Sequence, residues 1–171
     1  MEDRMLVRDE KEQDQKAVHA LNVAAFETAA EANLVDMLRA QAHPVISLVA
    51  EKNNTVVGHI LFSPVSLSGH PDLKIMGLAP MCVAPPHQRH GIGTALVRAG
   101  LARCKESGFG AVVVLGHPEY YPRFGFLPAK RLGIDCEYDV PEDVFMLIEL
   151  QPAYLRGVSG IIKYHAAFSN V

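Results

Sequence analysis

The order of apolar and polar positions along the chain predicts short strands interleaved with amphipathic helices. Met5-Leu6-Val7-Arg8 is a short apolar segment and predicts a first strand. Asp14 stands where a helix N-cap belongs, and Val18, Leu21 and Ala25 recur at helical spacing over 15–26. After an interruption at 27–31, Leu34, Met37 and Leu38 line one face of a second helix over 30–39. Residues 45–50 and 56–62 predict two strands, joined as a hairpin through a turn at Asn53-Asn54. The run Val57-Gly58-His59-Ile60-Leu61-Phe62 does not alternate, as expected of a strand covered on both faces. A turn over 66–73 leads into a strand over 74–83, and connections this short predict antiparallel neighbours. A helix then opens at Gly91, with Ile92, Ala95, Leu96, Ala99 and Ala102 on its apolar stripe, and stops near Ser107-Gly108. The strand over 111–115 returns beside the previous one, a strand–helix–strand unit with a right-handed crossover. Past Phe126 the pattern gives a loop containing Arg131, Gly133, Asp135 and Asp139, then strands over 144–150 and 160–164.

Composition narrows the class. At 171 residues, 49% of them hydrophobic and 20% charged, the chain is globular and long enough to bury a core, and one domain over 1–171 is expected. A net charge of −3 leaves no basic footprint for nucleic acid. Apolar runs fall short of the roughly 20 residues of a membrane span, and Met1-Glu2-Asp3-Arg4-Met5 is not a secretory signal. Cys82, Cys104 and Cys136 are odd in number and far apart, which argues against a disulfide framework and against a Cys-x-x-Cys metal site. The eight histidines are scattered, so a metal-free, cytoplasmic protein is expected.

The chemistry concentrates at the start of the helix that opens after Gly91. Backbone N–H groups in a first helical turn lack intrahelical partners, and the positive end of the helix dipole adds to them. With Gly91 and Gly93 letting a ligand approach the backbone, and Arg89 and His90 supplying donors, the segment predicts a phosphate site. A Walker loop would need Gly-Lys-Ser or Gly-Lys-Thr, which the chain lacks. A Rossmann loop would need glycine where Leu96 stands, so a nucleotide-binding module is disfavoured.

What remains, Gln88-x-x-Gly91-x-Gly93, resembles the pyrophosphate loop of the GNAT N-acetyltransferases, a superfamily that uses acetyl-coenzyme A. A second block supports the resemblance: Tyr121 stands four residues before Gly125-Phe126, as a Tyr does in that superfamily. The string Leu115-Gly-His-Pro-Glu-Tyr-Tyr-Pro-Arg-Phe-Gly-Phe126, with Ala79-Pro-Met-Cys-Val83 upstream, is similar to the YhbS-like branch. The resemblance implies a single α/β domain of mixed α+β character. Its twisted sheet, mostly antiparallel, would have six or seven strands and be flanked by about four helices. One splayed strand pair would hold the cofactor, and Pro80, a residue that cannot donate to a ladder, lies within that predicted splay.

By the same resemblance, acetyl-CoA is the co-substrate and a primary amine of a small molecule or protein is the acceptor. Attack is direct, in a ternary complex, and a homodimer is compatible with it. Gln88, Arg89, His90, Gly91, Ile92, Gly93 and Thr94 would hold the pyrophosphate, mainly through main-chain amides. Met81, Cys82, Val83, His117 and Tyr120 would line the pantetheine arm, the amides near Cys82 and Val83 facing the thioester carbonyl. Tyr121 is the candidate proton donor to the departing sulfur, and Phe126 a core residue. Phe26, Glu27 and Glu31, between the first two helices, would wall the acceptor cleft together with His59.

The general base stays open. Many GNAT enzymes carry a glutamate where this chain has Pro80, which leaves His59, His117, Glu27 and Glu119 as options. His59 also reads as an ordinary core histidine. Cys82 would allow an acetyl-enzyme route only with a base beside it. A catalytically weak acyl-CoA-binding or sensing protein is the alternative from another class, and the missing glutamate is its support.

Overall fold

A computed structural model describes residues 4–171, so Met1–Asp3, which open the stretch read above as no secretory signal, lie outside the described residues. The chain forms two compact units, one of Met1–Ser63, Ala79–Gly100 and Ala166–Val171, the other of Pro64–Leu78 and Leu101–His165. Among the described residues nine strands follow one another as β1 (Met5–Asp9), β2 (Ile46–Lys52), β3 (Thr55–Leu67), β4 (Ile75–Val83), β5 (Ala111–Leu115), β6 (Leu127–Pro128), β7 (Ile134–Cys136), β8 (Phe145–Glu149) and β9 (Gly160–Lys163). Their hydrogen-bonded order is β1-β2-β3-β4-β5-β8-β6, with β9 pairing both β3 and β7. Among the described residues there are three α-helices, α1 (Gln15–Ala25), α2 (Ala30–Gln41) and α3 (Ile92–Glu106), and several short 3-10 turns. The mixed α/β sheet expected from the sequence is present, with nine described strands where six or seven were expected and a helix count that roughly fits the expectation.

In the first unit, β1, β2 and β3 pair antiparallel. Asn53 and Asn54 take positive φ values of 52° and 65°, the left-handed pair that a tight hairpin needs. Helices α1 and α2 cover one side of these strands, where Val18, Leu34, Val35 and Leu38 pack on Val49 and Leu61. The other side of β3 meets α3: a Cβ on Gly58 would lie 3.0 Å from Ile92 and from Leu96, and the Phe62 ring fills the place of a Cβ on Gly100. These contacts show why the middle of β3 reads as a continuous apolar run.

Asp14 sits at the N-cap position of α1 but makes no side-chain cap bond there. Its carboxylate instead accepts from the Lys11 N–H at 2.7 Å and pairs with Arg8 at 2.8 Å. The guanidinium wins because it is a charge-assisted partner. Ala102 is exposed, and the buried positions of α3 are Ile92, Leu96, Val97, Gly100, Leu101 and Cys104. Small alanines fit either side of a helix, so the stripe was set by the larger side chains.

In the second unit, β5 pairs antiparallel with β8 and parallel with the start of β4. Ser66 and Leu67, expected in a turn, extend β3 and pair with Lys163 and Ile162 of β9. The loop expected after Phe126 contains β6, a 3-10 turn and β7. Two- and three-residue strands carry too little alternation to be legible, and only their partners β8 and β9 make them strands. The core here gathers Val65, Leu67, Ile75, Val113, Ile134, Phe145, Leu147 and Ile162.

Candidate active site

In the first unit the site begins where β4 ends. A turn at Pro85–His87 leads to Gln88, whose side-chain amide donates to the Val83 carbonyl at 3.0 Å and ties the loop back to the strand. Arg89 and Gly91 both have positive φ, 65° and 82°. Only glycine adopts that backbone without a Cβ penalty, and space is open around Gly91. The first bond of α3 runs from the Ala95 N–H to the Gly91 carbonyl at 3.0 Å. Gly91 is therefore the N-cap, and the amides of Ile92 and Gly93 precede any residue that could serve them from within the helix. Gln88, Arg89, His90 and Gly91 are exposed, Ile92 is buried, and Gly93 and Thr94 are half-buried.

Met81, Cys82 and Val83 close β4 just ahead of this loop. Rungs between β4 and β5 join Ile75, Met76 and Gly77 to Ala111, Val112 and Val113, while β4 itself runs on through Pro80 to Val83. Pro80 is buried, and no carboxylate stands at its position. Cys82 is 6% exposed, and burial pushes its thiol up from 9.0 to about 12. The resting side chain is a protonated thiol and not a nucleophile.

The residues expected to shape the acceptor side also lie in the first unit. Phe26 and Glu31 are half-buried and Glu27 is exposed, in and beside the link between α1 and α2. His59 is fully buried, with its Nε2 2.8 Å from Ser47 Oγ. Ser47 in turn donates to Glu10 Oε1 at 3.1 Å, and Arg39 grips both oxygens of Glu10 at 3.2 and 2.7 Å. Burial, helped by the Arg39 charge, pulls His59 down from 6.5 to about 3, so the ring is neutral throughout the working range. Nothing local marks Glu10, Arg39 or Ser47, because this chain of contacts joins residues 10, 39, 47 and 59 through tertiary packing.

The second unit holds His117, Tyr120 and Tyr121. The 3-10 turn Tyr121–Phe124 follows β5, and the Tyr120 and Tyr121 N–H groups both donate to the His117 carbonyl, at 3.1 and 3.3 Å. Tyr121 is 7% exposed and stands edge-on to Phe126, their centroids 5.6 Å apart. Its ring occupies the space that a Cβ on Gly116 would need, so glycine there makes room for it. Burial, with Tyr120 beside it, raises the Tyr121 phenol from 10.0 to about 12. The Arg123 guanidinium lies 4.3 Å from the centroid of the Tyr120 ring and donates to the Tyr120 carbonyl at 2.9 Å. His117, Pro118, Glu119, Tyr120 and Arg123 line a concavity of about 540 Å³. Arg123 was not singled out above, although its i+3 spacing from Tyr120 is the signal that could have found it. Among the described residues no group of three His, Cys, Asp or Glu side chains could hold a metal ion, and no helix is long and apolar enough to cross a membrane.

Comparison with known proteins places this geometry. The family model of the acetyltransferase (GNAT) family matches residues 10–126. The uncharacterized N-acetyltransferase YhbS of Escherichia coli (strain K12) is 37% identical over 167 residues, which cover 97% of this chain and 99% of YhbS. The uncharacterized N-acetyltransferase YjhQ of the same strain is 36% identical over 153 residues, 84% of each chain. The crystal structure of E. coli YhbS in complex with CoA superposes with a TM-score of 0.93 at 36% identity, covering 99% of this chain and 94% of that one. A GNAT family acetyltransferase from Brucella melitensis, in complex with acetyl-CoA, gives a TM-score of 0.79 at 35% identity and covers 96% and 98%. A glycine-opened helix after β4, a buried tyrosine ahead of Gly125-Phe126, and full-length likeness to these proteins lead to one conclusion: the chain belongs to the GNAT acetyltransferase family.

Proposed function

We propose that this protein is an N-acetyltransferase that moves the acetyl group of acetyl-CoA to a primary amine by direct attack in a ternary complex. The observation that carries the reading is the start of α3, where Gly91 caps the helix and the Ile92 and Gly93 amides are left for an anion. A pyrophosphate supplies that anion, and relatives of this fold hold CoA or acetyl-CoA. Gln88 to Thr94 bind the diphosphate and Met81, Cys82 and Val83 offer main-chain groups to the arm. His117 and Tyr120 are its remaining proposed contacts.

In the reaction, the amine nitrogen bonds to the thioester carbon and the C–S bond breaks. The amine gives up one proton, and the sulfur ends as a thiol. Tyr121 is the proposed catalytic residue. Its phenol, held near 12, stays protonated, whereas a thiol ordinarily titrates near 8.5. Complete proton transfer to the sulfur is therefore uphill by about 3 to 4 units in this environment, roughly 5 kcal/mol. A hydrogen bond from the phenol to the developing thiolate is the role that the site favours. An acetyl-Cys82 route is disfavoured, since its thiol is driven toward the protonated form by burial alone.

A coenzyme-sensing protein without turnover is the second reading, and the buried Pro80 in place of a carboxylate favours it. Release of free thiol from acetyl-CoA, measured against a panel of primary amines for the native chain and Tyr121→Phe, separates the two. The enzyme reading expects release by the native chain and a fall in kcat of about a hundredfold in the variant. Tight CoA binding without release for any amine would leave the sensor.

A further inference from the structure

Among the described residues of the second unit, Arg123 is a surface cation held in place without an anionic partner. It is exposed, yet fixed at two points. Its Nε–H donates to the Tyr120 carbonyl at 2.9 Å, and its guanidinium carbon lies 4.3 Å from the centroid of the Tyr120 ring. The ring beneath it is held as well. Tyr120 stands edge-on to Tyr121 and to Phe124, with centroids 5.1 and 5.4 Å apart, and its N–H donates to the His117 carbonyl. A surface arginine ordinarily keeps much of its rotamer freedom, so one seated on a fixed ring is a pre-organised group.

A carboxylate is within sequence reach and is not used. Glu119 stands four residues earlier and lines the same concavity of about 540 Å³, with His117, Pro118 and Tyr120, but makes no ion pair with Arg123. With Nε spent on a carbonyl, the Nη1 and Nη2 groups have no protein partner among the described residues. That free edge of the guanidinium matches two oxygens of one anion through parallel N–H···O bonds. The coenzyme proposed for this protein has an anionic group still without a contact. CoA carries a diphosphate, assigned above to the amides at the start of α3, and a separate phosphate monoester at the 3′ position of its ribose. A monoester carries about two negative charges at neutral pH and three acceptor oxygens, and an arginine fork on an aromatic platform fits it.

We infer that Arg123, seated on Tyr120, is a subsite for a phosphate monoester, and that the 3′-phosphate of CoA fills it. The subsite selects CoA over its dephospho form. Glu119 works against it, since a carboxylate in the same concavity repels a dianion. This inference rests on the coenzyme part of the proposed function, and its test separates the two.

Calorimetry with CoA and dephospho-CoA reads the subsite. The native chain should bind CoA about tenfold more tightly, a difference of about 1.4 kcal/mol. Arg123→Met keeps an aliphatic stem over the ring and removes the fork, so it should bring the two affinities within about twofold by weakening CoA alone. Unchanged dephospho-CoA binding shows that the variant is folded. Arg123→Lys keeps the charge without the fork and should fall between, while Glu119→Gln should tighten CoA and leave dephospho-CoA as it was. A preference that survives in Arg123→Met, or that disappears in Arg89→Ala instead, overturns the inference and spares the coenzyme reading. Equal binding of both forms by the native chain does the same, and failure to bind either overturns both readings. The native chain's own Arg123 Nε–H signal in the 15N spectrum needs no variant and distinguishes the source of the phosphate. It should move with CoA and stay in place with dephospho-CoA or with inorganic phosphate; a shift with inorganic phosphate but not with CoA would overturn the assignment to the coenzyme.

Discussion

At the scale of single residues, Tyr121 in the second unit and His59 in the first are both held neutral by burial, in opposite directions. Tyr121 is pushed up and keeps its proton, and His59 is pushed down and keeps its lone pair. The histidine has a consequence for stability. Its folded value lies near 3 and its unfolded value near 6.5, so between these the unfolded chain binds a proton that the folded chain refuses. Stability is complete above pH 6.5 and is lost as pH falls toward 3, with a limiting slope of about 1.4 kcal/mol per pH unit. Asp14, lowered chiefly by its hydrogen bonds with Arg8, adds its own loss only below 3.8. Urea titrations from pH 7 to 4 should show this slope in the native chain and a flatter one in His59→Gln; equal slopes would mean that His59 does not resist protonation.

At the scale of elements, the loop ahead of α3 and the contact of α3 with β3 each depend on a glycine, for different reasons. Gly91 has open space around it, so a side chain there meets no neighbour and is penalised only through its φ of 82°, by about 1–2 kcal/mol. On the proposal that main-chain amides hold the diphosphate, Gly91→Val should weaken CoA binding tenfold or more and Arg89→Ala by less than threefold, as read by calorimetry. Comparable losses from both would shift the anion's grip to the side chain. Gly100 is the converse case, an ordinary helical position whose Cβ would overlap the buried Phe62 ring. Alanine gains about 1 kcal/mol of helix propensity, but overpacking costs about 1–3 kcal/mol. Gly100→Ala should therefore lower the melting temperature by a few degrees, and a rise would show that Phe62 can step aside.

At the scale of the whole molecule, binding at the loop should appear as stability. A ligand at a hundred times its Kd adds about 2.7 kcal/mol, which for a chain of this size raises the melting temperature by about 5–10 °C. CoA should give that shift and ATP or NAD should not, since the loop lacks both a Walker lysine and a Rossmann glycine. An equal shift from ATP would return the site to nucleotides in general.

The features legible in the sequence are those carried by neighbouring residues. Turn chemistry placed the Asn53-Asn54 hairpin, helical spacing placed α1, α2 and α3, and the Gln88 to Gly93 and Tyr121 to Phe126 blocks pointed to the family. Such signals survive in a linear reading because a turn, a cap or a first helical turn is built within a few residues. Others needed the folded chain. Whether Ser66 and Leu67 are turn or strand depends on β9, almost a hundred residues later. That Asp14 pairs with Arg8 instead of capping α1 depends on competition between partners in space. The state of His59 depends on Ser47, Glu10 and Arg39, brought together from four separate segments. Hydrogen-bond direction, burial and proton affinity are properties of an environment, and only tertiary structure supplies one.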